Sequence, residues 1–168
     1  MPNVHLDVLL RRNRNLNGVL RIEVDGTPVR EFMVLGRGSR GGGDTQFLEN
    51  GNTPTGEYDG NTFLSTEGQS QRSYGRWGKM VLKPLSGNAL IAQDLFHRRE
   101  LRIHGGDLGT WYGTGSHAKS NQLRPTHGCL RLSNADMRQL YEALMDAGVD
   151  FRQERCVQPN VDVSVHEL

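Results

Sequence analysis

The most informative stretch of this 168-residue chain is residues 126–136, which read THGCLRLSNAD. It places Cys129 directly after a histidine and a glycine, and a helical pattern begins a few residues later. A cysteine attacks carbonyl carbon as a thiolate, so it needs a base or a positive environment. Gly128 indicates a tight turn, where backbone N–H groups can face a developing oxyanion. The stretch therefore predicts a thiol nucleophile on a turn that leads into a helix.

One principal helix is predicted directly after this turn, over about residues 134–147. Ser133 or Asn134 is its expected N-cap, Asp136 lies in its first turn, and Gly148 follows its end. An apolar face at helical spacing indicates packing on a core rather than a cofactor site. That face consists of Met137, Leu140, Tyr141, Leu144 and Met145.

The rest of the chain shows strand patterns, and its 21 glycines indicate many turns. Alternating segments at 4–8 and 20–24 are typical of strands, and Asp25-Gly26 is a hairpin turn signal. A β-hairpin is therefore predicted over residues 19–35. Further strand-like segments predict a mostly β, mixed β-sandwich in a single domain, residues 1–168. Those segments are 53–66, 77–85, 101–104 and 161–165.

Composition excludes several classes of protein. The chain has 20 basic and 19 acidic residues, so it lacks the basic footprint of a nucleic-acid binder. No apolar run approaches the roughly 20 residues that span a bilayer, and the first residues lack the features of a signal peptide. The expectation is a chain that is cytosolic, trimmed or exported without a cleaved signal. Two cysteines do not form a disulfide framework, and Cys156 is interpreted as a bystander thiol.

Three segments together resemble a known family. Residues 126–136 resemble the signature of the L,D-transpeptidases, the YkuD-type catalytic domain. Residues 53–58 (TPTGEY) resemble the Thr-Pro-x-Gly-x-aromatic turn of this family, and residues 102–106 (RIHGG) resemble the strand that carries its base histidine. The three segments stand in the order of the family, and the resemblance extends over residues 19–150.

The resemblance implies a catalytic mechanism. Cys129 would attack the carbonyl before the terminal D-alanine of a peptidoglycan stem tetrapeptide, and His104 would act as the base. A main-chain oxygen at Gly105, or at the glycine after it, would orient this histidine, while His127 would shape the pocket. The N–H groups of Gly128 and Cys129 would form the oxyanion hole. The thioester would pass to an amine or to water, and no metal or cofactor is implied.

Substrate contacts are expected from Arg131, Thr126 and the connection between His104 and Thr126. Arg131 has a guanidinium that can bind a carboxylate through two hydrogen bonds. Residues 105 to 125 make a spacer of 21 residues, which is longer than is usual in the family. This insertion contains Trp111 and Tyr112, and it leaves open whether the enzyme transfers, exchanges or hydrolyses.

Other readings of the same residues remain open. A zinc hydrolase using His104, His127 and Cys129 is one alternative, although the spacing matches no common zinc signature. A catalytically silent wall-binding module is another. The lack of a recognisable signal suggests an antibacterial effector of a type VI secretion machine, acting in the periplasm of a rival. Such an effector would have an immunity protein or a secretion-apparatus partner.

Two basic segments are interpreted as unremarkable surface. Residues 36–43, which are rich in glycine and arginine, match no phosphate-binding fingerprint and favour a surface loop over a flap. Arg98-Arg99 is interpreted as a solvated pair, because two charges are too few for a polyanion site.

Overall fold

A computed structural model describes residues 2–40, 45–106, 123–149 and 160–168. In this part of the chain, eight strands form one sheet, accompanied by three helices. The strands are β1 Val4–Leu10, β2 Gly18–Val24, β3 Thr27–Val34, β4 Gly56–Leu64, β5 Lys79–Ser86, β6 Arg102–His104, β7 Leu130–Arg131 and β8 Val161–Glu167. The helices are α1 Gln71–Tyr74, α2 Gly87–Phe96 and α3 Asn134–Asp146.

The sheet is mixed and curves until its two ends nearly meet. Its strand order is β3-β2-β1-β8-β4-β5-β6-β7, with parallel pairs at β1/β8 and β6/β7 and antiparallel pairs elsewhere. Leu35, just past β3, forms an antiparallel bridge to Arg131 of β7. The two residues exchange both backbone hydrogen bonds, at 2.9 and 3.0 Å. The mostly β, mixed fold is therefore confirmed, as one nearly barrel-like sheet.

The hairpin predicted over residues 19–35 is confirmed as β2 and β3. Asp25 and Gly26 both have positive φ, at 51° and 78°. An Asp-Gly pair accepts this backbone at little cost, and the resulting turn matches the twist of the two strands. Inward positions on the neighbouring strands, such as Leu6, Leu20 and Ile22, are completely buried. The turn residues and the alternation of buried side chains thus both specify this hairpin.

The predicted principal helix is confirmed as α3. The hydroxyl of Ser133 accepts a hydrogen bond from the backbone N–H of Asp136 at 3.0 Å, so Ser133 is the N-cap. Gly148 follows the helix with φ of 90°, as expected for a residue just past a helix end. The apolar face packs on the sheet, with Tyr141 and Met145 at its half-buried edge. Its fully packed members are Met137, Leu140, Ala143 and Leu144.

The ten-residue helix α2 was not predicted. Its apolar residues do not form a stripe: only Ala89 and Ala92 are buried, while Leu95 and Phe96 are largely exposed. The helix ends at His97, which adopts the left-handed conformation. No helix in the described ranges has the length and apolar character needed to cross a membrane.

Removing the cap of α3 tests this description of the helix. We expect Ser133→Ala to lower the free energy of unfolding by about 1 kcal/mol, because the N–H of Asp136 loses its acceptor. Urea denaturation followed by circular dichroism measures the change. Ser133→Asp keeps an acceptor and serves as the matched control, so equal destabilisation by both substitutions would contradict the capping role.

Candidate active site

A cavity of about 680 Å³ opens where β6 and β7 meet the 123–129 segment. It is polar and rich in basic side chains. Its walls come from the end of α2, from α1 and from the loop around residue 50. The lining residues are Glu49, Asn50, Ser73, Tyr74, Phe96, His97, Arg98, Arg99, Glu100, Arg102, His104, Arg124, Pro125, Thr126, His127, Cys129 and Arg131.

Parallel pairing of β6 with β7 brings His104 and Cys129 to the same cavity. Ile103 is opposite Leu130 and His104 is opposite Arg131. Paired residues of parallel strands face the same side, and neighbours along a strand alternate. Ile103 and Leu130 both lie in the hydrophobic core. His104 and Cys129 therefore face away from the core, into the cavity.

His104 is a buried, neutral base candidate. His104 is only 2% exposed, and its Nδ1 lies 2.6 Å from the carbonyl oxygen of Gly105. Because a carbonyl only accepts, Nδ1 carries the proton and the lone pair is on Nε2. Burial lowers the pKa of His104 to about 4; the Gly105 carbonyl opposes this, while the charges of Arg131, Lys79 and Arg102 add to it.

Two further side chains support His104, and the sequence analysis did not single them out. The ring of Tyr74 lies against the imidazole with centroids 5.0 Å apart. The Nζ of Lys79 lies 5.0 Å from the centroid of the Tyr74 ring and donates to Gln69 Oε1 at 2.8 Å. Lys79 is opposite His104 in the β5/β6 register, so strand alternation places both on one face. No local sequence signal marks Tyr74 or Lys79, because each lies on another element and meets His104 only through the fold.

Cys129 is half-buried, and its Sγ donates to the carbonyl oxygen of Glu100 at 3.5 Å. Burial raises the pKa of the Cys129 thiol above its ordinary value. The backbone N–H of Arg102 and the guanidinium charges of Arg102, Arg131 and Arg98 act in the opposite direction and lower that pKa. The resting site thus contains a neutral imidazole and a protonated thiol, and the surrounding cations favour the thiolate.

The turn before Cys129 is held by the hydroxyl of Thr126. This hydroxyl accepts from the N–H of Gly128 at 3.0 Å and donates to the carbonyl of Cys129 at 2.8 Å. The N–H of Gly128 is therefore engaged inside the turn. For this N–H to bind an oxyanion, as predicted, its hydrogen bond to Thr126 must break or be shared. Thr126, predicted as a substrate contact, is buried in this structure, and its hydroxyl bonds to the backbone of its own turn.

The prediction that Arg98 is solvated was wrong. Arg98 is 6% exposed, and its guanidinium donates to the carbonyls of Gln46 at 2.7 Å and Asn52 at 2.6 Å. His97 adopts the left-handed conformation, and the Arg98 side chain that follows lies buried beside the turn at Gly128. A Cβ on Gly128 would lie 2.0 Å from Arg98 Nη2. Arg99 is exposed, as expected.

The remaining predicted residues differ in their placement. Arg131 is 4% exposed, and its guanidinium donates to the carbonyls of Ser73 and Arg124. His127 is exposed at the cavity mouth, with Nδ1 3.0 Å from Asn50 Oδ1. Substrate contact by Arg131 and pocket shaping by His127 stay predictions.

Trp111, Tyr112 and Cys156 lie outside the described residues. Within those residues, no group of three or more His, Cys, Asp or Glu side chains is arranged to hold a metal.

The described part of the glycine- and arginine-rich segment, residues 36–40, pairs with the backbone of the turn before Cys129. Gly38 forms a parallel bridge with Thr126, whose N–H donates to the carbonyl of Arg37 at 3.1 Å. The start of this loop therefore supports the turn before Cys129.

A solved L,D-transpeptidase structure shares this fold. The L,D-transpeptidase of Xylanimonas cellulosilytica is 18% identical with a TM-score of 0.50, covering 98% of this chain and 61% of that one. The L,D-transpeptidase of Mycobacterium smegmatis is 12% identical with a TM-score of 0.44, and its alignment covers 97% of this chain and 59% of that one. This chain thus spans less than two thirds of either solved chain. No curated protein sequence matches it.

A family-level match agrees with the likeness of fold. The sequence profile of YkuD, described as the L,D-transpeptidase catalytic domain, matches residues 15–149. The matched range contains β2 to β7, the cavity and α3. The chain therefore belongs to the YkuD family of L,D-transpeptidase catalytic domains.

Proposed function

We propose that this protein is a cysteine-dependent L,D-transpeptidase that acts on peptidoglycan stem tetrapeptides through a thioester on Cys129. The observation that carries the proposal is the β6/β7 register, which directs His104 and Cys129 into one cation-lined cavity. Membership of the YkuD family supports the reaction class. The substrate, the nucleophile and the release of D-alanine are parts of the proposal.

The first half of the reaction forms the acyl-enzyme. Nε2 of His104 accepts the thiol proton as Sγ of Cys129 attacks the carbonyl carbon between the third stem residue and D-alanine. The carbonyl oxygen becomes an oxyanion, and the nearby guanidiniums favour its negative charge. The imidazolium then returns the proton to the amine of the leaving D-alanine. The C–N bond breaks and the thioester remains.

The second half of the reaction repeats these steps with a new nucleophile. An acceptor amine, or water, gives a proton to His104 and attacks the thioester, and the thiol leaves with that proton. An amine from a second stem yields a cross-link, a free D-amino acid yields exchange, and water yields L,D-carboxypeptidase action. Delivery as a secreted effector, with an immunity protein, stays a separate prediction.

Incubation with purified tetrapeptide-stem muropeptides tests the proposal. We expect mass spectrometry to show either loss of D-alanine or a heavier dimer, because both products derive from one thioester. Cys129→Ala should abolish both products, with activity lowered by at least about a thousandfold, as for loss of a nucleophile. Cys156→Ala is the matched thiol control and should retain activity. Unchanged turnover in Cys129→Ala would refute the mechanism.

The pH profile tests the role of His104. The base must be neutral, and kcat/KM reports ionisations of the free enzyme. With the pKa of His104 lowered to about 4, we expect kcat/KM to hold from neutral pH to about pH 5 and to fall about tenfold per pH unit below pH 4. Circular dichroism at each pH separates this loss from unfolding. An acid limb centred at the ordinary histidine pKa of about 6.5 would contradict the assignment.

A further inference from the structure

Arg102 occupies the position on β6 that is nearest to the nucleophile across the strand pair. The β6/β7 register runs from Ile103 opposite Leu130, so Arg102 precedes the first pair as Cys129 does. Its backbone N–H favours the thiolate of Cys129. Because Arg102 alternates with the core residue Ile103, its side chain lies on the cavity side, together with His104. Arg102 thus adjoins both reacting groups.

The guanidinium of Arg102 has few partners among the described residues. Among the described residues, nothing accepts a hydrogen bond from its buried Nε–H. Its only ion pair there is with Glu100, at 3.9 Å, and the Glu100 side chain is 81% exposed. An exposed pair at that distance contributes little. By contrast, the guanidinium of Arg131 donates to two backbone carbonyls. Arg102 is therefore placed to accept a further anionic partner.

The charge of the cavity points to the same kind of partner. Five arginines line it, against the carboxylates of Glu49 and Glu100. The whole chain is almost balanced, at 20 basic and 19 acidic residues. Positive charge is thus concentrated around Cys129. A cavity lined by one sign of charge raises the local concentration of ligands of the opposite sign.

We propose that Arg102 is a specificity-determining residue that binds a carboxylate of the acyl donor, one residue beyond the attacked carbonyl. This inference rests on the proposed function and assigns that role to Arg102. On a stem tetrapeptide, the group concerned is the carboxylate of the leaving D-alanine. The fork of Nε and one terminal nitrogen matches the two oxygens of a carboxylate. The pairing sets the scissile bond beside Sγ and selects donors with an uncapped terminus.

Alkylation of Cys129 tests the anion site without turnover. Iodoacetate and iodoacetamide react with the same thiolate and differ chiefly in one negative charge. Their rate ratio therefore cancels the thiolate fraction, which Arg102 also affects. We expect Arg102→Gln to lower the iodoacetate-to-iodoacetamide ratio between about threefold and about tenfold, as expected for a unit charge a few ångströms from the reagent carboxylate. Mass spectrometry of the peptide that carries Cys129 keeps Cys156 out of the measurement.

Three further variants make the alkylation result specific. Arg102→Lys keeps the charge and should keep most of the ratio. Arg21→Gln removes an equal charge from β2, outside the cavity lining, where Arg21 pairs with Glu31, and should leave the ratio unchanged. Arg99→Gln removes an exposed arginine of the cavity and should lower the ratio less than Arg102→Gln does. An unchanged ratio in Arg102→Gln, or an equal fall in Arg99→Gln, would overturn the inference.

A substrate comparison links the anion site to the reaction. We expect the wild-type protein to lose about tenfold or more in kcat/KM when the terminal carboxylate of the tetrapeptide is replaced by a carboxamide, and Arg102→Gln to show little preference between the two donors. Equal preference in both proteins would overturn the inference. If neither donor is consumed but the alkylation ratio falls in Arg102→Gln, the proposed function fails while the anion site stands.

Discussion

The two-residue strand β7 is the constraint on which the site depends. Its backbone is held from both sides: Arg131 exchanges two hydrogen bonds with Leu35, and the N–H of Leu132 donates to the carbonyl of His104 at 3.0 Å. The same short segment therefore joins the two ends of the sheet and fixes His104 relative to Cys129. Because a slip of one residue would turn Cys129 toward the core, the register matters more than the length of the strand.

Buried arginines stabilise the loops around this strand. Arg14 donates to the carbonyls of Gly36 and Thr53 and pairs with Glu167. Arg98 donates to the carbonyls of Gln46 and Asn52. Arg131 donates to those of Ser73 and Arg124, two residues that line the cavity. Buried carbonyls without partners would destabilise such loops, and each guanidinium satisfies several of them at once. Two of these three charges also lower the pKa of Cys129. Arginine side chains thus both stabilise these loops and favour the thiolate of Cys129.

The parts of the fold that sequence could predict are those with a local cause. The Asp25-Gly26 turn, the Ser133 cap and the apolar face of α3 are each specified within a few residues. Helix α2 lacks such a pattern, since it buries only two alanines, and it was missed. Arg98 and Arg102 look like ordinary surface charges until pairing over long sequence distances gives them their surroundings. Cys129 and His104 could be identified as candidates, whereas the hydrogen bond that engages the Gly128 N–H could not.

The parallel pairing of β6 with β7 has a consequence for how this chain can change. Parallel neighbours cannot be joined by a tight turn, and here residues 105–129 connect the two strands. The positions of His104 and Cys129 are set by the ladder at the two ends of that connection rather than by its length. Insertions and deletions between the two strands can therefore accumulate without moving His104 and Cys129 apart. The spacer of residues 105 to 125 is then a place where this sequence can vary while the relative placement of His104 and Cys129 is kept.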